Sequence, residues 1–169
     1  MFFGNDSGLL YGLRASDASD LSGFPVSVSS SVRSSPAVGA GKVVFGSSDG
    51  KVYSVAVRDG SQLWTQTLDA SVSSAPIIAN GVVYVSSASS LYALDFASGA
   101  ILWRAGVSAS DVASPAVSDG IVFIGSTDGN LYAFSVNGRP PASRLPGGEL
   151  GVRPALSSLK PDYSLKASN

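Results

Sequence analysis

Cysteine and histidine are both absent from this chain of 169 residues, and methionine occurs once. Without cysteine there are no disulfides, no thiolate nucleophile and no thiolate-bound metal. Without histidine the commonest general base and the commonest transition-metal ligand are gone as well. Charge is scarce too. Only 14% of residues are charged, with 11 basic against 12 acidic, a net charge of -1 and a pI near 5.1. The basic residues are scattered, so the chain carries no electrostatic footprint for a nucleic-acid partner. Apolar runs are of strand length and soon broken by Ser or Gly, which excludes a membrane-spanning helix. Met1-Phe2-Phe3-Gly4 lacks the basic, apolar and small-residue regions of a signal peptide. The chain is therefore cytosolic, or its targeting segment lies outside it.

What the chain has is a beat of about 40 residues. Val32, Val72, Val112 and Val152 stand 40 apart, and Pro36, Pro76, Pro115 and Pro154 follow them. Tyr53, Tyr92 and Tyr132 repeat on the same interval, as do Trp64 and Trp103. A period of this length marks one supersecondary unit that must stack on its neighbours to bury its apolar face. In register the units are 1–40, 41–80, 81–119 and 120–158, followed by a flexible tail over 159–169. The second unit predicts four strands, at Lys42–Phe45, Lys51–Val57, Gln62–Thr67 and Ser74–Ala79. Ser48-Asp49-Gly50 and Asp59-Gly60 supply the turns between them. Four short antiparallel strands per repeat make an all-β fold, a β-propeller of four-stranded blades. The recurrent Pro suits the start of an innermost strand, where a missing N–H costs no ladder bond.

The segment Tyr92-Ala93-Leu94-Asp95-Phe96-Ala97-Ser98-Gly99-Ala100-Ile101-Leu102-Trp103 resembles the "LYALD…TG…LW" signature of pyrroloquinoline-quinone-type (PQQ-like) repeats. Phe45–Tyr53 and Ile124–Tyr132 resemble the "vGs.DG.lYA" half of the same signature. The resemblance implies a propeller whose blades dock through a tryptophan, here Trp64 and Trp103. Ser22-Gly23-Phe24-Pro25-Val26 in the first unit and Arg139-Pro140-Pro141-Ala142 in the fourth depart from that pattern. The resemblance further implies an extracytoplasmic protein, periplasmic or secreted, acting with protein partners in the cell envelope. Quinoprotein dehydrogenases share the repeat, but they use acidic, Arg and aromatic ligands, calcium and usually a vicinal cysteine pair. This chain has no such pair, and no cofactor or metal ligands can be assigned.

The chain opens on the second strand of a blade and ends its repeats on a first strand, 152–157. That strand can complete the first blade in a self-closed ring of four. A segment of a longer propeller, or two copies forming one ring of eight blades, accounts for the same offset, and all three remain open.

Candidate chemistry is thin. Asp6, Asp49, Asp59, Asp119 and Asp128 all lie within two residues of a Gly, where Asp stabilises turns. Glu149 is the only Glu and has no partner at a fixed spacing. Serine lacks a base to activate it, and catalytic residues are therefore none. One pair stands out. Arg33 and Arg153 each follow the repeating Val, a place predicted to face the mouth of the central channel, where two guanidinium groups could hold a carboxylate or phosphate. Asp69 and Asp111 are nearby candidates to neutralise them. The expectation is a non-enzymatic interaction scaffold. The alternatives are a piece of a quinone-dependent dehydrogenase and a ligand-sensing propeller.

Overall fold

The computed structural model describes residues 1–88, 90–107 and 113–136 and the backbone of 163–165. Every regular element among them is a β-strand. Sheet 1 comprises β1 (Phe2–Gly4), β2 (Leu9–Gly12) and β3 (Val26–Ser27). Sheet 2 comprises β4 (Ala37–Gly39), β5 (Lys42–Gly46), β6 (Lys51–Ala56) and β7 (Gln62–Thr67). Sheet 3 comprises β8 (Ile77–Ala79), β9 (Val82–Ser87), β10 (Ser90–Asp95) and β11 (Ile101–Gly106). Sheet 4 comprises β12 (Ala116–Ser118), β13 (Ile121–Gly125), β14 (Leu131–Ser135) and β15 (Tyr163–Leu165). Each sheet is an antiparallel meander in chain order.

Alternation along the strands gives each sheet two apolar faces, and each core forms between consecutive sheets. Phe45, Tyr53 and Val55 of sheet 2 join Leu10 and Phe24 of sheet 1. Val44, Val52 and Trp64 on the other face of sheet 2 join Val83, Val85 and Tyr92 of sheet 3. Tyr84, Leu91 and Ala93 then join Val122, Ile124 and Phe134 of sheet 4. Three cores thus hold four sheets, and no core joins sheet 4 back to sheet 1 among the described residues.

The predicted strand over Ser74–Ala79 is shorter in the structure, where only Ile77–Ala79 pairs with β9. The reason lies in Ser74. Its hydroxyl donates to the Ser86 carbonyl at 2.7 Å and accepts from the Ser86 amide at 3.0 Å, doing for the backbone what a ladder residue would do. Ser34 holds Gly46 in the same two-way manner, at 3.1 and 2.7 Å. In sheet 4 the linker from Val112 to Pro115 is a residue shorter, and the Ala113 amide bonds the Gly125 carbonyl instead.

The repeating valine has a specific place. Val32 and Val72 are buried, and their amides donate to Asn5 and Ser47 in the turns that follow β1 and β5. Each lies over a strand-end glycine, Gly4 or Gly46. A Cβ on either would come within 2.3 Å of the valine side chain.

Trp64 lies across sheets 2 and 3. Its indole N–H donates to the Phe96 carbonyl at 3.1 Å, and its ring rests on Gly99 at φ +77, where a Cβ would meet it at 2.6 Å. Lys42 donates to the Phe96 and Ala97 carbonyls beside it. Trp103 sits between Tyr84 and Phe134, with ring centroids at 6.0 and 6.2 Å. In sheet 1 the departure from the tryptophan pattern leaves Phe24 in that role, buried and tilted against Phe2 at 5.3 Å. The fourth-unit departure, Arg139–Ala142, lies outside the described residues, as does the strand expected at 152–157. Within the stretch expected to be a flexible tail, Tyr163–Leu165 pairs with β14 as the outer strand of sheet 4. A β-forming Tyr-Ser-Leu run meeting the free side of β14 accounts for that pairing.

Candidate functional site

Among the described residues, sheet 1 differs from the other three in having three strands, none of them in the inner position. The positions that β4, β8 and β12 fill in sheets 2 to 4 are empty beside β1 among the described residues. The hydrogen bonds from Asn5 N to Leu9 O and from Leu13 N to Met1 O fix the alternation of β1. They turn Phe3 towards β2 and leave the backbone groups of Phe2 and Gly4 pointing the other way. In sheet 2 the counterparts of those groups are used. Val44 pairs with Ala37, and Gly46 is held by Ser34. A cleft of about 590 Å³ occupies this side of sheet 1, lined on one wall by Phe2–Asp6 and on the other by Val32–Pro36.

Arg33 stands at this cleft. Its Nε donates to Asp6 Oδ1 at 2.8 Å, and both side chains are largely exposed. The hydrogen bond and charge of Asp6 raise the guanidinium above its ordinary pKa. The neutralising carboxylate is therefore Asp6 from the turn after β1, and not Asp69. Asp69 instead belongs to a second polar cluster between sheets 2 and 3. There it accepts from Arg104 at 2.6 Å and from Ser87 at 3.1 Å, while Arg104 lies 5.5 Å over the Tyr92 ring. Arg153 and Asp111 lie outside the described residues, so Arg33 is the member of the proposed arginine pair that can be located. No signal in the sequence marked Asp6, because 27 residues separate it from Arg33 and only the inter-sheet linker brings them together.

The remaining turn carboxylates hold their own loops. Asp49 and Asp128 each accept from a tyrosine four residues on, Tyr53 and Tyr132, at 2.6 Å. Burial, reinforced by Asp49, pushes the Tyr53 phenol up to about 12. The bond from Tyr132 leads a set that takes Asp128 down to about 2. Asp59 and Asp95 accept from the Ser61 and Ser98 hydroxyls at 2.6 Å, which lowers both carboxyls.

A quinone cofactor with its calcium ion does not fit these residues. No group of three or more carboxylates capable of holding a metal occurs among the described residues, and the chain has no cysteine for a vicinal pair.

Residues 7–140 match the family model described as outer membrane protein assembly factor BamB. No curated protein matches the chain significantly. Among solved structures, BamB from Moraxella catarrhalis is 22% identical with a TM-score of 0.70, over 82% of this chain and 47% of that one. The computationally designed Ika4 protein is 19% identical with a TM-score of 0.70, over 79% of this chain and 83% of the design. A europium-containing methanol dehydrogenase is 17% identical with a TM-score of 0.55, over 63% of this chain and 23% of the enzyme. These likenesses show the fold, and the chain spans about half the length of the BamB it matches. With the family model covering most of its length, the chain belongs to the PQQ-like repeat propellers described as outer membrane protein assembly factor BamB.

Proposed function

We propose that this chain is a non-enzymatic interaction scaffold of the bacterial cell envelope, in which a rigid stack of blades presents loops and edges to protein partners. The family match over residues 7–140 carries the reading. The donor set supports it, since a chain without His or Cys, whose turn carboxylates are engaged with serines and tyrosines, has little to offer acid–base or metal chemistry. An extracytoplasmic location belongs to the same proposal, and the family match supports it. Arg33 retains solvent-facing donors beside Asp6 and is the guanidinium placed to meet a partner's carboxylate at the cleft.

The methanol dehydrogenase likeness favours one other reading, a quinone-dependent enzyme segment. Titration with pyrroloquinoline quinone and calcium separates the two. A scaffold gives neither a stoichiometric absorbance change nor a rise in melting temperature. A saturable shift in both would displace the scaffold reading. The positive arm is a fluorescence titration of the labelled chain with purified outer-membrane assembly components, where saturable binding is expected.

A further inference from the structure

The hairpin between the inner strand and the next is built alike in sheets 2, 3 and 4. It turns on Ala40-Gly41, Asn80-Gly81 and Asp119-Gly120, with φ values of 42 and 75, 51 and 75, and 50 and 75. In each case the flanking residues pair directly, Gly39 with Lys42, Ala79 with Val82 and Ser118 with Ile121. A two-residue loop of this kind needs positive φ at both positions, and Asn-Gly is among its preferred pairs. Ala40 and Asp119 show that the asparagine amide is not what shapes the turn.

Asn80 carries an amide leaving group that its two counterparts lack. Asn80 and Gly81 are both exposed, and no hydrogen bond engages the Asn80 side chain or the Gly81 amide among the described residues. A Cβ on Gly81 would meet nothing within 4 Å, so nothing crowds the turn there. Asn5 is placed differently. Its Oδ1 accepts from the Ser7 and Leu9 amides at 3.0 and 2.9 Å, and Asp6 follows it. Asn130 precedes Leu131, whose branched side chain shields the amide between them. The other Asn-Gly pair, Asn137-Gly138, lies outside the described residues.

We propose that Asn80 is a site of spontaneous covalent modification, in which the turn itself supplies the nucleophile. The Gly81 nitrogen, its proton taken by hydroxide, attacks Cγ of the Asn80 side chain. The new C–N bond closes a cyclic imide, and the side-chain nitrogen leaves as ammonia with a proton from water. Water then opens the ring at either carbonyl. Opening at Cγ leaves aspartate, which this turn accepts, as Asp119 shows at φ 50. Opening at the main-chain carbonyl leaves isoaspartate, with the chain routed through Cγ and lengthened by a methylene. A two-residue loop cannot absorb that methylene and keep Ala79 opposite Val82. The bond from the Phe96 amide to the Gly81 carbonyl, at 3.0 Å, is lost with it. Ile77 and Ile78 then lose their hold on the cores to either side of sheet 3. The inference does not depend on the scaffold reading, because it concerns one hairpin of sheet 3.

Ageing the folded chain in mildly alkaline buffer, with tryptic mapping by mass spectrometry at intervals, tests it. The tryptic peptide Asp59–Arg104 holds Asn80 as its single asparagine, and conversion at Asn137 registers in a separate peptide. The expected result is a steady amide-to-acid mass gain in Asp59–Arg104, with isoaspartate fragment ions and a parallel fall in melting temperature. Mildly acidic buffer should slow all three. Asn80→Ala, which installs the residue of the sheet 2 turn, should abolish the fall on ageing. Asn80→Asp should hold its starting melting temperature over the same period. The map of the unmodified chain decides the matter if a variant unfolds. An Asn80 that stays intact in the folded chain while a denatured sample converts would overturn the proposal. So would isoaspartate at Asn80 without a fall in melting temperature, or a fall that persists in Asn80→Ala.

Discussion

Ser54 is the one buried side-chain oxygen among the described residues without a hydrogen-bond partner. Gly12, Ala93 and Ala133 hold the equivalent positions, so the hydroxyl is peculiar to sheet 2. Removing an orphaned buried hydroxyl relieves about 1 kcal/mol of desolvation cost. Ser54→Ala should therefore raise the melting temperature by about 2–4 °C for a chain of this size, measured by calorimetry. An unchanged or lower value would mean that the hydroxyl has a partner in solution. Ionisation offers a second test at the same scale. Asp128 is held near 2 chiefly by Tyr132, so its carboxylate contributes stability that is present above 3.8 and lost as pH falls through about 2. Tyr132→Phe should move the Asp128 titration, followed by NMR, up towards 3.8. Tyr53 runs the other way. Its raised pKa favours the neutral phenol, so the associated stability is intact below pH 10 and is lost as pH rises through about 12.

At the scale of the strand, the repeat makes much of the structure legible in the sequence. Strands β5, β6 and β7 lie within a residue of the segments read from Lys42–Phe45, Lys51–Val57 and Gln62–Thr67. Turn chemistry and alternation are local, so they survive in a single sequence. The inner strand is shorter than its sequence suggests because the sequence does not say that a serine hydroxyl will replace ladder bonds, as Ser34 and Ser74 do. The outer strand of sheet 4 is not legible in the sequence because Tyr163–Leu165 follows no repeat signal, and it is pairing with β14 that makes it a strand. Docking of sheet 2 on sheet 3 uses a pair, the Trp64 indole and Gly99 one blade on. Trp64→Ala should cost about 3–5 kcal/mol by cavity formation and loss of the bond to Phe96. Gly99→Ala keeps the indole yet adds a Cβ against it at positive φ, and about 1–3 kcal/mol should be lost. Denaturant unfolding of the two single variants and the double variant measures both. Strict additivity in the double variant would contradict their coupling.

Across the whole molecule, the 40-residue beat explains why four sheets stack, but it carries little about what finishes the stack. Interior positions such as Phe45 and end positions such as Phe3 are near-identical in sequence, and only the fold distinguishes a dry face from a wet one. The pairing of Arg33 with Asp6 was hidden for a related reason, since linker geometry decides which carboxylate comes within reach. Family membership supports the scaffold reading, while the ion pair of Arg33 with Asp6 beside β1 is a feature of sheet 1 itself. The central claim is that this chain works as an interaction scaffold and not as a quinone-dependent enzyme. Calorimetric titration with pyrroloquinoline quinone and calcium tests it most directly. The account predicts no saturable heat, in line with the lack of a metal-holding group among the described residues. A saturable, stoichiometric isotherm would contradict it.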